Sequence, residues 1–248
     1  MDLSKCGAGE RSEPAWRERG QKFQVKADAA KNQFLNSFVY IYKMPFGPLE
    51  TNTILIGCSK TKKAAVIDSA QGSTAAVLRK AKEAGLIIEK IFLTHSHWDH
   101  IADLHLLVEK TGAPVYVHRL DAPNVERPGS DRIPMMLEVQ GVTSLNLIEN
   151  GDFLDVGSLR CEVIHSPGHS RGSVCYFFRE EKLLISGDTL FEGTIGTLSL
   201  PTAEPEKMWE SLSFISKLPP DTHIVPGHGG DTILSKESWL SRAREIFS

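Results

Sequence analysis

The chain has 248 residues, 41% of them hydrophobic, which suffices for one α/β domain with an ample core. Its net charge of −3, without a strongly basic run, gives no support to nucleic-acid binding. No apolar run nears the roughly 18 residues of a membrane span, and Asp2, Lys5, Glu10, Arg11 and Glu13 interrupt any apolar leader core. A cytoplasmic location and a small-molecule substrate, without nucleic-acid or membrane partners, are therefore expected, and the oligomeric state is left open.

Residues 1 to about 34 are polar with mixed charge and are expected to form a mobile tail or peripheral helix, separate from a domain over 35–248. The first convincing strand spans 38–42, followed by strands over 52–57 and 64–68. Val77, Leu78, Ala81 and Ala84 give 73–84 a helical period, with Gly85 as its stop. A strand over 87–94 leads into a His-rich turn and a helix from 99 to about 109, and 114–118 reads as the next strand. Breakers Pro123, Pro128, Gly129 and Pro134 predict irregular structure over 119 to about 145, the stretch best suited to substrate contacts. Strands over 146–149, 152–156, 159–165, 173–179, 182–186 and 223–225 follow, with helices over 205–218 and 235–247. Cys6, Cys58, Cys161 and Cys175 are widely spaced without a Cys-x-x-Cys pair, as expected of reduced structural thiols.

The run Thr94-His95-Ser96-His97-Trp98-Asp99-His100 is the densest chemical signal. On a strand continuing through it, His95 and His97 project to the same side, and Asp99 and His100 follow at the start of the helix. Imidazole and carboxylate together suit zinc and iron, whereas calcium and magnesium prefer all-oxygen sites. Packed without a cation, the cluster costs desolvation energy. Three later segments repeat the theme: Ser166-Pro167-Gly168-His169, Ser186-Gly187-Asp188-Thr189 and Pro226-Gly227-His228-Gly229. Each sets a His or Asp just past a short apolar run and beside a Gly that permits a tight turn.

The set His95-x-His97-x-Asp99-His100, His169, Asp188 and His228, preceded by Asp68 at the end of Ala64-Ala65-Val66-Ile67-Asp68, resembles the metallo-β-lactamase fold superfamily over roughly 37 to 230. The resemblance implies an αββα sandwich of two mixed β-sheets flanked by helices, with the metals at one edge. It implies that His95, His97 and His169 hold one ion, that Asp99, His100 and His228 hold a second, and that Asp188 bridges them. Asp68 is implied to support the histidine loop. The implied cofactors are two divalent metal ions, zinc first, with iron or manganese as alternatives.

Two ions about 3.5–4 Å apart can share a hydroxide derived from water with a pKa near 7. Attack on a thioester releases a thiolate of reference pKa about 8.5, which needs little proton assistance. Asp99 and Asp188 are the expected catalytic carboxylates. The runs 94–100 and Gly187-Asp188-Thr189-Leu190-Phe191 look most like glyoxalase II and its short relatives, which hydrolyse S-acylglutathione thioesters such as S-lactoylglutathione. Two departures concern the substrate. Twenty residues follow His228, so the helical domain with which full-length glyoxalase II grips glutathione is not expected here, and Thr197 stands where those enzymes usually carry Lys or Arg. A mononuclear iron persulfide dioxygenase, using His95, His169 and Asp188, ranks second; a lactonase ranks third. His105, His118, His165 and His223 are expected as surface, edge or supporting residues, Trp98 as a packing wedge, and Ser170 and Ser173 as partners of backbone groups.

Overall fold

Period-two alternation along the strands sends one set of side chains inward between two sheets and the other outward under helices. A computed structural model describes residues 39–248. The polar segment over 1–34, Cys6 and Phe38 lie outside the described residues. The first sheet has the order β1 (Val39–Phe46), β2 (Thr51–Cys58), β3 (Lys63–Ile67), β4 (Ile87–Phe92), β5 (Val115–His118), β6 (Leu145–Ile148). Its first three strands pair antiparallel and its last four parallel. The second sheet runs β12 (Thr232–Ile233), β11 (His223–Pro226), β10 (Leu183–Gly187), β9 (Val174–Phe178), β8 (Leu159–His165), β7 (Phe153–Val156). Only β10 and β11 pair parallel there.

The alternation is legible residue by residue. On β3, Ala65 and Ile67 enter the layer between the sheets, while Ala64 and Val66 pack under α1 (Thr74–Ala84) and α3 (Leu104–Thr111) with Val77, Ala81 and Leu107. On β9, Val174, Tyr176 and Phe178 face inward, and Cys175 and Phe177 meet Met208, Leu212 and Ile215 of α5 (Pro205–Ile215). The result is an αββα sandwich. Tyr176 stacks on Phe92 across the layers at 5.1 Å and donates its hydroxyl to the Leu93 carbonyl at 2.7 Å. Each fully buried aromatic of this kind contributes roughly 1.5–3 kcal/mol. Cys58, Cys161 and Cys175 are buried and unpaired. No helix of the described residues is long and apolar enough to cross a membrane.

Several expected elements differ. The helix expected from 99 to about 109 divides into α2 (Trp98–Ile101) and α3, because the His100 carbonyl accepts Ser69 N–H at 2.7 Å and Asp103 N–H turns to the Ser69 carbonyl at 2.9 Å. That exchange ties the helix start to the loop after β3. β4 ends at Phe92, so His95 and His97 stand on a loop and not on a strand extension. The expected irregular stretch 119–145 contains α4 (Ala122–Glu126). The expected helix over 235–247 breaks into two 3₁₀ turns and α6 (Ala243–Phe247). There the buried Glu237 carboxylate leaves the helical path to accept from Gly193 N–H, the Thr232 hydroxyl and the Trp239 indole.

Candidate metal centre

The C-terminal ends of β3, β4, β8, β10 and β11 lie at one edge of the sandwich, and the loops leaving them carry the candidate ligands. All seven come together. Nε2 of His95 lies 3.1 Å from Nδ1 of His97. Oδ2 of Asp188 is 3.4 Å from Nε2 of His169 and 3.4 Å from Nε2 of His228, and its Oδ1 is 3.5 Å from Nε2 of His100. Oδ2 of Asp99 is 3.4 Å from Nε2 of His100 and 3.3 Å from Nε2 of His228. The donor atoms form three overlapping groups that can hold an ion: His95–His97–His169, His95–His100–Asp188 and Asp99–His100–His228.

Every imidazole is held from behind, which decides the nitrogen it presents. Nδ1–H of His100 donates to Asp68 at 2.8 Å, of His169 to the Thr197 carbonyl at 2.9 Å and of His228 to the Leu49 carbonyl at 3.0 Å. The Thr94 hydroxyl donates to Asp68 at 2.7 Å and so accepts from Nδ1 of His95 at 3.1 Å. The Thr202 hydroxyl points its proton toward the His169 carbonyl and accepts from Nε2 of His97 at 2.9 Å. Each ring therefore turns its other nitrogen to the centre, the orientation a metal-ligating histidine requires. His169 Nε2 and Asp188 Oδ1 are buried without a hydrogen-bond partner. Orphaned acceptors in a pocket of imidazole and carboxylate fit one or more divalent ions with nitrogen and oxygen preferences.

The field divides the centre in two. Burial and the neighbouring imidazoles hold His95 well below the usual histidine range, and burial with His169 pushes His97 down to about 3. Burial also disfavours charge on His100 and His228. There the carboxylates win: Asp99, Asp188 and Asp68 lift His100 to about 9, and hydrogen bonds to Asp188 and Asp99 lift His228 to about 11. Burial pushes Asp188 and Asp99 up, but His100 and His228 outweigh it, bringing Asp188 to about 2 and Asp99 below the usual carboxylate range. Without ions, protons on His100 and His228 balance the two carboxylates.

Sequence reasoning missed several supports. The Thr51 hydroxyl donates to Asp99 Oδ2 at 2.6 Å, and Asn52 Nδ2 donates to the Pro226 carbonyl at 2.9 Å beneath the His228 loop. Thr51 and Asn52 sit on β2, too far along the chain from the motif to give a signal. Thr197 serves through its carbonyl, while its exposed hydroxyl pairs with Ser199 at 2.9 Å. Gly227 and Gly196 permit close approach, since an added Cβ would lie 2.1 Å from Asp188 Oδ1 and 2.1 Å from the Asp188 carbonyl, respectively. Phe191 meets His228 edge-on at 6.1 Å.

The remaining candidates lie apart. Trp98 packs in the helix-facing core, and His105 is half-buried on α3. His118 stacks on His165 at 4.0 Å and is pushed down to about 4 by burial and that neighbour. His223 contacts Asp231 at 3.2 Å. Ser170 and Ser173 bond each other at 2.8 Å, and Ser173 Oγ accepts Ser170 N–H.

The family model of the metallo-β-lactamase superfamily matches residues 46–228. The chain is 33% identical over 193 residues to a probable metallo-hydrolase, YqgX, of Bacillus subtilis (strain 168), covering 77% of this chain and 90% of that one. It is 36% identical over 182 residues to a hydroxyacylglutathione hydrolase of Methylobacterium nodulans, covering 73% of this chain but 63% of that longer one. Among solved structures, TTHA1623 in a di-iron-bound form superposes with a TM-score of 0.68 at 33% identity, covering 82% of this chain and 98% of that one. The shared fold, the matched span and these identities agree: the chain belongs to the metallo-β-lactamase superfamily.

Proposed function

We propose that the protein is a two-metal hydrolase of a small thioester or ester, with S-acylglutathiones such as S-lactoylglutathione as the first substrates to test. The observation that carries this reading is the position of Asp188. One oxygen faces His169 and His228, and the other faces His100, so the carboxylate stands between the three-histidine group and the Asp99–His100–His228 group. When bound there, two divalent ions would supply Lewis acidity toward a carbonyl oxygen and water of pKa about 7. Zinc is the first choice of ion, and the di-iron form of TTHA1623 makes iron a strong second.

The chain's own contribution is orientation. Asp68, Thr94, Thr202, Thr197 and Leu49 hold the five rings, and Thr51 fixes Asp99, so the donor set is preorganised. A thiolate leaves with a reference pKa of about 8.5 and asks for no general acid. Around the centre, Leu49, Phe191, Thr197, Ser199 and Thr202 offer apolar and hydroxyl contacts, and Glu50 and Glu192 are exposed beside them. That rim suits the neutral acyl portion of the substrate.

The test is thiol release from S-lactoylglutathione and from simpler acyl thioesters by the zinc-, iron- and manganese-loaded protein. Turnover that collapses in Asp188→Ala supports the reading. No thiol release from any form, with oxygen consumed on glutathione persulfide, would replace it with the dioxygenase reading.

A further inference from the structure

α4 reaches back to the metal centre. Asp121, the residue before it, is 5% exposed. Its Oδ2 accepts Ser96 N–H at 2.7 Å and the Ser170 hydroxyl at 3.0 Å, and its Oδ1 accepts Gly172 N–H at 2.8 Å. One helical turn on, Asn124 Nδ2 donates to the Ser96 carbonyl at 2.6 Å and to Asp131 at 2.9 Å. Ser96 lies between His95 and His97, and Ser170 follows His169. Both backbone groups of Ser96 are thus tied down, and the same carboxylate grips the loop that carries the third histidine. The fit is close, since a Cβ at Gly172 would lie 2.4 Å from Asp121 Oδ1.

These contacts select one half of the centre. The tethered loops carry His95, His97 and His169, while Asp99 is held by Thr51 and His228 by Leu49. Three donors converge on Asp121, and only an acceptor-only carboxylate satisfies all of them. An asparagine must turn its amide N–H₂ toward either Ser96 N–H or Gly172 N–H, donor against donor.

We propose that Asp121 is a positioning residue for the three-histidine group: it sets the separation of the His95–His97 loop from the His169 loop and thereby the affinity of that group for its ion. The proposal rests on the two-metal reading above. It also gives the 119–145 stretch a role in building the centre.

The test is titration of the metal-free wild type, Asp121→Asn and Ser170→Ala with zinc against a chelating dye, beside circular dichroism of each metal-free form. The wild type is expected to take up two ions. Asp121→Asn is expected to keep one ion at wild-type affinity and to weaken the other by about 10–100-fold, and Ser170→Ala to weaken that same ion less. Thr51→Val, acting behind Asp99, is expected to weaken the other ion, so the double variant Asp121→Asn/Thr51→Val holds neither tightly. Two wild-type affinities in Asp121→Asn, equal weakening of both ions, or weakening by Thr51→Val of the same ion overturns the proposal. If Asp121→Asn does not fold, an unchanged Ser170→Ala overturns it. A wild type that takes up a single ion contradicts the two-metal reading instead, and an Asp121→Asn affinity for that ion equal to wild type then overturns the proposal as well.

Discussion

Asp68 takes the Nδ1–H of His100 on Oδ2 at 2.8 Å from a backbone held at φ 58°. Left-handed geometry costs an L-residue about 1–2 kcal/mol, and Asp is among the types that tolerate it best. The conformation turns the carboxylate back to accept Thr94 N–H at 2.8 Å and the Thr94 hydroxyl at 2.7 Å as well. One residue thus orients His100 directly and His95 through Thr94. Asp68→Asn is expected to weaken metal binding by about 10–100-fold. Asp68→Gly relieves the backbone strain and is expected to lose the same affinity, which separates the carboxylate's role from that of the turn. Chelator competition on both variants is the check.

Metal uptake is expected to depend on pH more steeply in one half of the centre than in the other. His100 and His228, lifted to about 9 and about 11, carry protons throughout the neutral range in the metal-free chain. An ion at the Asp99–His100–His228 group must displace those protons, so its affinity rises with pH and falls on acidification. His97, pushed down to about 3, and His95 are already neutral, so these two ligands meet no such competition. Titration near pH 7.5 in weak buffer is expected to release about two more protons for the ion at Asp99–His100–His228 than His95 and His97 yield to the other. Equal release for both ions would contradict this division.

Gly227→Ala is expected to abolish metal-dependent activity in a folded protein. The added methyl carbon falls 2.1 Å from Asp188 Oδ1 and 2.9 Å from His100 Cε1, so the shared carboxylate has to move. Overpacking of this kind costs about 1–3 kcal/mol of stability. Metal content should fall while the circular dichroism spectrum is retained.

Tyr176→Phe tests the fold apart from the chemistry. It removes the hydroxyl donated to Leu93 and leaves that carbonyl unsatisfied in the core, at a cost of about 1–3 kcal/mol. Denaturant unfolding of the metal-free chain should register that loss, while the metal-loaded enzyme keeps its two ions.

Much of this centre was legible in the sequence because its chemistry is compact. Four ligands sit within His95–His100, and His169, Asp188 and His228 each follow a strand beside a glycine. Apart from Asp68, the supporting groups were not legible, since they act through main chain or across long separations. Asp121 binds Ser96 and Gly172 backbone, Leu49 and Thr197 act by their carbonyls, and Thr51 reaches Asp99 from β2. Most strands were legible as short apolar runs between breakers, whereas β12, two residues long, and α4, five residues with a proline in its first turn, give no periodic signal. The break between α2 and α3 was hidden for a related reason. It is made by Ser69, on another loop, and not by a breaker within the helix.

The central claim is a dinuclear hydrolytic centre shared through Asp188. Its most direct test is metal analysis of protein purified without added metal, run beside thiol-release and oxygen-uptake assays on the same sample. About two equivalents of divalent metal per chain, with thioester hydrolysis and no oxygen uptake, is the expected result. One iron per chain, with oxygen consumed on glutathione persulfide and no thioester turnover, would contradict it.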